Sequence, residues 1–109
     1  MRLKVLGAFG SDGQGQRASA FLVDDRVLID AGTVGGALSV PEQTAITHAL
    51  ISHAHLDHTV GLAFLPDSLA MVEPERSVTA CSNAPVIDPL RTHCYNDALW
   101  PDFAAIPTR

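Results

Sequence analysis

The run Ser52–His58 constrains this chain more than any other part of its sequence. It consists of Ser-His-Ala-His-Leu-Asp-His, so three histidines and an acid fall within six positions. A short apolar stretch, Ala49–Ser52, precedes the histidines, and a longer one, Asp57–Leu65, follows. The first stretch predicts a strand, and the second predicts a buried helix that stops at Pro66. The histidines are therefore expected where a strand ends and a helix begins.

The spacing of these side chains indicates a metal site. Alternate residues of an extended segment point to the same side, so His53 and His55 can share one metal ion. Asp57 and His58 then begin the helix and face a second position beside the first. Three histidines and an acid packed this closely would be costly without a compensating ion. Nitrogen and carboxylate ligands suit zinc, manganese or iron, and this donor set does not choose among them.

The rest of the chain predicts a small α+β domain. Besides the strand before the histidines, strand-forming residues predict four further strands, at Leu3–Phe9, Ala20–Val23, Arg26–Asp30 and Ser77–Cys81. The acidic pair Asp24-Asp25 suits a hairpin turn, and Pro41–Ile46 suits one short helical turn. Three opening strands, the first two joined by a glycine-rich loop, therefore precede the histidine run.

A last helix is predicted after the final strand, with two possible starts. It begins either at Pro89, with Asp88 as its N-cap, or near Pro85 with a kink at Pro89. The start at Pro89 is less costly, because proline is tolerated at the first helical position and disrupts a helix interior.

Composition excludes several classes of protein. With 109 residues, 47% of them hydrophobic, the chain is at most one domain and is not a disordered tail. The net charge of -5 and the scattered arginines give no basic patch for nucleic acid. No segment predicts a signal peptide or a membrane span, so a cytoplasmic location is expected. Two cysteines are too few for a disulfide framework and are expected as packed thiols.

The run His53–His58 resembles the His-x-His-x-Asp-His signature of the metallo-β-lactamase superfamily. This resemblance implies that His53, His55, Asp57 and His58 bind metal, and that Asp57 also accepts a hydrogen bond from the attacking nucleophile. Asp30, which is followed by Ala-Gly after an early strand, is similar to a family acid that orients a metal-bound histidine. His48 and His93 are expected to be structural, and Asp67, Asp97 and Asp102 have no support from a motif.

Within the superfamily, the longer run His53–Leu62 resembles class II cyclic-nucleotide phosphodiesterases, in which leucine precedes the aspartate and a Gly-Leu pair follows. The stretches His93–Asn96 and Trp100–Phe103 resemble the same group. The implied reaction is hydrolysis of the phosphodiester of a 3′,5′-cyclic nucleotide such as cyclic AMP. A hydroxide shared by two metal ions would attack phosphorus. Two Zn²⁺ ions are expected in a complete site, with Mn²⁺ or iron as alternatives.

The resemblance covers only the first half of the family's fold, a four-layer αβ/βα sandwich of two similar halves. Residues 1–109 are expected to form the N-terminal half, a mixed sheet with helices on one face. The second half would supply a further histidine, a bridging aspartate and a last histidine. Two ligands at each metal position are fewer than zinc sites in proteins normally use. We therefore expect the chain to be inactive alone, and to need a missing C-terminal half or a second copy of itself.

Three functional hypotheses follow. The first is a phosphodiesterase that acts on small nucleotides. The second is a non-catalytic fragment that needs a partner chain. The third keeps the fold and changes the substrate to a thiolester or a tRNA precursor, because those hydrolases share the core signature.

Overall fold

The computed structural model describes residues 1–102, so Phe103 of the stretch noted above lies outside it. Its elements follow in the order β1 (Leu3–Gly7), β2 (Ala20–Val23), β3 (Val27–Ala31), α1 (Val40–Thr44), β4 (His48–Leu50), α2 (Leu56–Ala70), β5 (Thr79–Cys81) and α3 (Ala84–His93). All five predicted strands are present, with ends that differ by at most two residues from those expected.

The five strands form one mixed sheet in the order β1-β2-β3-β4-β5. The first three strands are antiparallel neighbours, and β4 and β5 run parallel to β3. Asp24 and Asp25 form the turn between β2 and β3 with φ angles of 50° and 60°. Aspartate tolerates this left-handed region better than most residues, so the acidic pair suits the hairpin. The prediction of an α+β fold with a mixed sheet is confirmed.

The core lies between one face of the sheet and the helices. Leu28 and Ala49 of the central strands are fully buried in one cluster with Leu65 and Leu69 of α2 and Leu90 of α3. Helix α1 begins with a capping box, in which Ser39 and Glu42 satisfy each other's backbone N–H groups. The helices therefore cover one side of the sheet, as the sequence predicts.

The opposite face of the sheet is apolar and only partly covered. Val5, Ile29 and Leu50 lie in one row across the sheet, because Val5 and Ile29 both pair with Phe21 and Ile29 also pairs with Leu50. The exposed fractions of Val5, Ile29 and Leu50 are 56%, 40% and 42%. Apolar side chains aligned in this way are typical of a sheet face that packs against another layer.

The expected end of the second helix at Pro66 is wrong, because α2 continues to Ala70. Proline removes one helical N–H group and its hydrogen bond, and burial of the residues beyond it in the core offsets this loss. Leu69 is such a residue, with only 1% of its surface exposed. The Trp100 indole Nε1 also donates a hydrogen bond of 2.7 Å to the Ala63 carbonyl, which lies in the turn before Pro66.

The favoured start of the last helix at Pro89 is also wrong. Helix α3 begins at Ala84 after the N-cap residue Asn83, so Pro89 lies inside it. Val86 and Leu90 are one helical turn apart and are both buried. Burial of this pair requires the longer helix, which outweighs the hydrogen bond lost at Pro89.

Two glycines allow α2 to approach the end of β3. A Cβ atom on Gly61 would lie 2.7 Å from the Ala31 carbonyl oxygen, and one on Gly32 would lie 2.0 Å from the Asp57 carbonyl oxygen. Both neighbours are backbone atoms, which cannot move aside cheaply. These glycines therefore fix the distance between the end of β3 and the first turns of α2.

Within residues 1–102, none of the helices combines the length and the apolar character needed to cross a lipid bilayer.

Replacement of Gly61 with alanine should lower the free energy of unfolding by about 1–3 kcal/mol, the usual effect of overpacking. Alanine is otherwise the better helix former by about 1 kcal/mol, so a loss would identify the contact with Ala31 as its cause. Chemical denaturation of the two proteins measures the difference.

Gly35→Ala is the matched control. A Cβ atom on Gly35 would meet its nearest neighbour, Nε2 of Gln43, at an ordinary 3.7 Å. This variant should be as stable as the parent or slightly more stable. Equal stability of Gly61→Ala and the parent would contradict the proposed close contact.

Candidate metal centre

The histidine run begins where two parallel strands end at the same edge of the sheet. Strand β3 ends at Ala31 and its neighbour β4 ends at Leu50, shortly before the run. Helix α2 then starts with His55 as its N-cap residue, which places Asp57 and His58 in its first turn. Binding sites of open α/β sheets commonly lie at the carboxyl ends of the strands.

Three of the four predicted metal ligands form a compact group. His53, Asp57 and His58 each offer one ligand atom, and these atoms lie within 4.8 Å of one another. Within the group, Nε2 of His58 lies 3.2 Å from Oδ2 of Asp57. All three side chains are half-buried, so an ion bound there would be partly shielded from water.

His55, the fourth predicted ligand, lies beside this group and is exposed. Its ring meets the His53 ring edge to face, with 4.8 Å between the ring centroids. The His53 ring is closer to the His58 ring, at 4.1 Å. The sequence paired His53 with His55, whereas the structure gathers His53 with Asp57 and His58.

A β-bulge turns Asp30 toward the histidines. In the pairing of β2 with β3, Phe21 faces Ile29 and Ala20 faces Ala31, so Asp30 is an extra residue in β3. Its φ angle is 58°, in the left-handed region that aspartate tolerates. Bulges commonly redirect a side chain next to a functional site. Here the bulge buries the Asp30 carboxylate below α2.

The Asp30 carboxylate joins two parts of the site. It accepts hydrogen bonds from the backbone N–H of Ser52 at 2.7 Å and from Nδ1 of His58 at 2.8 Å. Burial raises the pKa of Asp30, but the hydrogen bonds from Ser52 and His58 outweigh burial and leave the pKa below its ordinary value. Because an ionised carboxylate only accepts hydrogen bonds, we assign the proton of the neutral His58 ring to Nδ1.

The donor set fits a divalent cation. With its proton on Nδ1, His58 directs the lone pair of Nε2 toward Oδ2 of Asp57, 3.2 Å away. Two acceptors that face each other repel unless a cation or a proton lies near both. Two ligands of one tetrahedral zinc ion are also roughly 3.3 Å apart, given bonds of about 2.0–2.1 Å.

Two residues of the site were missed in the sequence. The Ser52 hydroxyl lies 2.9 Å and 2.8 Å from the two Asp30 carboxylate oxygens and 3.0 Å from Nδ1 of His53. The buried Thr59 hydroxyl donates to the His55 carbonyl at 3.0 Å and fastens the first turn of α2. Their only signal in the sequence is position, directly before the first histidine and directly after the last.

The residues expected to be structural lie outside the group of ligand atoms. His48 is exposed on β4, where its Nδ1 contacts the Thr47 hydroxyl at 2.9 Å. His93 is exposed in the last turn of α3. The cysteines Cys81 and Cys94 are free, and burial raises the pKa of the Cys94 thiol.

Comparison with known proteins identifies a family and a fold for this chain. The family model for class-II cAMP phosphodiesterases matches residues 39–109. The chain is 38% identical over 64 residues to 3′,5′-cyclic-nucleotide phosphodiesterase 1 of Saccharomyces cerevisiae, which is 59% of this chain and 17% of that protein. The crystal structure of unliganded yeast PDE1 superposes with a TM-score of 0.75 and 20% identity over 94% of this chain.

The structural match covers 47% of the yeast chain and the sequence match 17% of the yeast phosphodiesterase, so this chain spans less than half the length of these relatives. The TM-score shows that the fold is shared, and the resemblance to class II phosphodiesterases is confirmed. The family match includes the histidine run and extends over more than half of the chain. This chain therefore belongs to the class-II cAMP phosphodiesterase family.

Proposed function

We propose that this chain carries the N-terminal half of a metal-dependent site that hydrolyses 3′,5′-cyclic nucleotides such as cyclic AMP. The observation that carries the proposal is the group His53, Asp57 and His58, in which Asp30 holds the His58 ring, in a member of this family. The curated relative is a cyclic-nucleotide phosphodiesterase by name. Thiolester or tRNA-precursor hydrolysis has no comparable support.

The ligands proposed for the metal are His53, Asp57 and His58, with His55 beside them. We propose Zn²⁺, two ions in a complete site, with Mn²⁺ or iron as alternatives that the same donors accept. When bound, such ions lower the pKa of a coordinated water and offset charge on phosphodiester oxygens.

The remaining chemistry belongs to the side chains of this chain. Asp30 holds the His58 ring and its proton, so that Nε2 of His58 stays available as a ligand. Asp57 accepts a hydrogen bond from the attacking water and orients it toward phosphorus. The water oxygen bonds to phosphorus as the bond from phosphorus to the ribose 3′ oxygen breaks, a proton of the water passes to that 3′ oxygen, and the product is a nucleoside 5′ monophosphate.

The proposal includes a second half that completes the site. The half-exposed row Val5, Ile29 and Leu50 supports a further layer on that face of the sheet. The yeast structure, of which this chain matches 47%, supports the same proposal. Residues 1–109 would then be the N-terminal half of the domain, with a C-terminal half or a second copy supplying the other ligands. The cytoplasmic location stays a prediction.

The chain should bind Zn²⁺ or Mn²⁺ through the clustered side chains. Loss of one ligand should weaken binding by more than the roughly 10–100-fold typical of a residue that only supports a ligand. We therefore expect His58→Ala and Asp57→Asn each to lower the affinity by about 100-fold or more. Isothermal titration of the purified chain with the metal alone measures this.

His93→Ala is the control for the metal titration, because it removes an exposed histidine outside the group. Its affinity should equal that of the parent chain. The metal site is wrong if His93→Ala weakens binding as much as His58→Ala, or if the parent chain binds neither metal.

Cyclic AMP hydrolysis should require more than this chain. The metal-loaded chain alone is expected to show little turnover, since the two histidines and the bridging aspartate expected from a second half are missing. A chimera with the C-terminal half of the yeast relative should produce 5′-AMP and lose this activity with His55→Ala.

Rapid turnover by the isolated chain as a monomer would contradict the requirement for a second half, whereas turnover by a dimer would identify a second copy as that half. A folded, metal-loaded chimera that leaves cyclic AMP intact would contradict the proposed substrate. Its assay with a thiolester and with a tRNA precursor would then decide between the other hydrolase activities.

A further inference from the structure

The Ser52 hydroxyl occupies a position that the proposed chemistry does not yet use. It lies between the Asp30 carboxylate, at 2.9 Å and 2.8 Å from the two oxygens, and Nδ1 of His53, at 3.0 Å. These distances allow hydrogen bonds on both sides of the hydroxyl. Ser52 therefore links the buried acid to the histidine that Asp30 does not contact directly.

The direction of both hydrogen bonds follows from counting protons. A serine hydroxyl has one proton to donate and lone pairs that accept. The ionised Asp30 carboxylate can only accept, so the Ser52 proton points to Asp30. The Ser52 oxygen is then an acceptor for His53, which must hold its own proton on Nδ1.

We propose that Ser52 is a positioning residue. Its hydroxyl connects Asp30 to His53 through hydrogen bonds and fixes the His53 proton on Nδ1. His53 then presents the lone pair of Nε2 to the metal, as His58 does through its direct bond to Asp30. One buried carboxylate thereby sets the tautomer of two ligands, the first directly and the second through a hydroxyl. The role given to Ser52 rests on the proposed metal site. The hydrogen bonds of Ser52 to Asp30 and His53, however, do not depend on a bound metal.

The first test is the tautomer of His53 in the metal-free parent chain. Long-range proton–nitrogen NMR distinguishes a protonated Nδ1 from a protonated Nε2. The spectra are recorded at about pH 8.5, about two units above the ordinary pKa of a free histidine side chain. We expect the proton of His53 on Nδ1, and a proton on Nε2 would overturn the proposal without any variant.

The second test removes the hydroxyl. Ser52→Ala keeps the backbone N–H that Asp30 accepts, so the carboxylate retains that bond. We expect the His53 proton to redistribute between the two nitrogens and Zn²⁺ affinity to fall by about 10–100-fold. Ser52→Thr restores the hydroxyl and should restore both the tautomer and the affinity to within a few-fold of the parent.

Ser82→Ala is the matched control, because the Ser82 hydroxyl donates to the Ile51 carbonyl at 2.7 Å, next to Ser52 in the chain. It removes a hydroxyl at the end of the neighbouring strand β5 without changing a contact of Asp30 or His53, and both readouts should stay unchanged. An unchanged tautomer in Ser52→Ala, or an equal loss of affinity in Ser82→Ala, would overturn the proposal. Failure of the parent chain to bind metal would instead overturn the proposed function, since the tautomer is measured without metal.

Discussion

The Asp30 carboxylate, buried at the end of β3, joins the sheet to the helix that carries two of the proposed metal ligands, Asp57 and His58. It accepts hydrogen bonds from Ser52, which follows β4, and from His58 in α2. A buried carboxylate is costly unless hydrogen bonds satisfy it, so these partners are required for stability as well as for position. The site therefore depends on an ionised group that folding holds in place.

Packing of strand β3 and helix α2 holds the Asp30 carboxylate in position. The bulge in β3 directs Asp30 under α2, and glycines at 32 and 61 allow the helix backbone to lie against the strand end. The large apolar residues of α2, among them Leu65 and Leu69, anchor the helix in the core. Because the same contacts hold the core and the site, changes in helix packing should also move Asp57 and His58.

The opposite face of the sheet has a different role. Its row of half-exposed apolar residues is continuous across four strands, in a chain that matches less than half of the yeast structure. The side chains of the metal group and this face are both consistent with a domain built from two halves. The three close ligand residues and the half-exposed sheet face therefore both support the proposal of a second half.

Much of this could be predicted from the sequence, because strand patterns and the histidine spacing are local signals. All five strands and a cluster of histidines and an acid at a strand end follow from such signals, whereas the grouping of His53 with Asp57 and His58 rather than with His55 does not. Helix ends were harder, since burial of Leu69 and of the pair Val86 and Leu90 outweighs the local effect of proline. The link through Ser52 depends on strand register and a bulge, which no local pattern of residues reveals.

X-ray absorption spectroscopy of the zinc-loaded chain tests the central claim most directly, because it reports the atoms bound to the metal. We expect nitrogen and oxygen ligands at about 2.0–2.1 Å from the zinc, with the outer-shell scattering typical of at least two imidazole rings. Sulfur ligands at about 2.3 Å, supplied by Cys81 or Cys94, would contradict it. A zinc ion without imidazole scattering would contradict it equally.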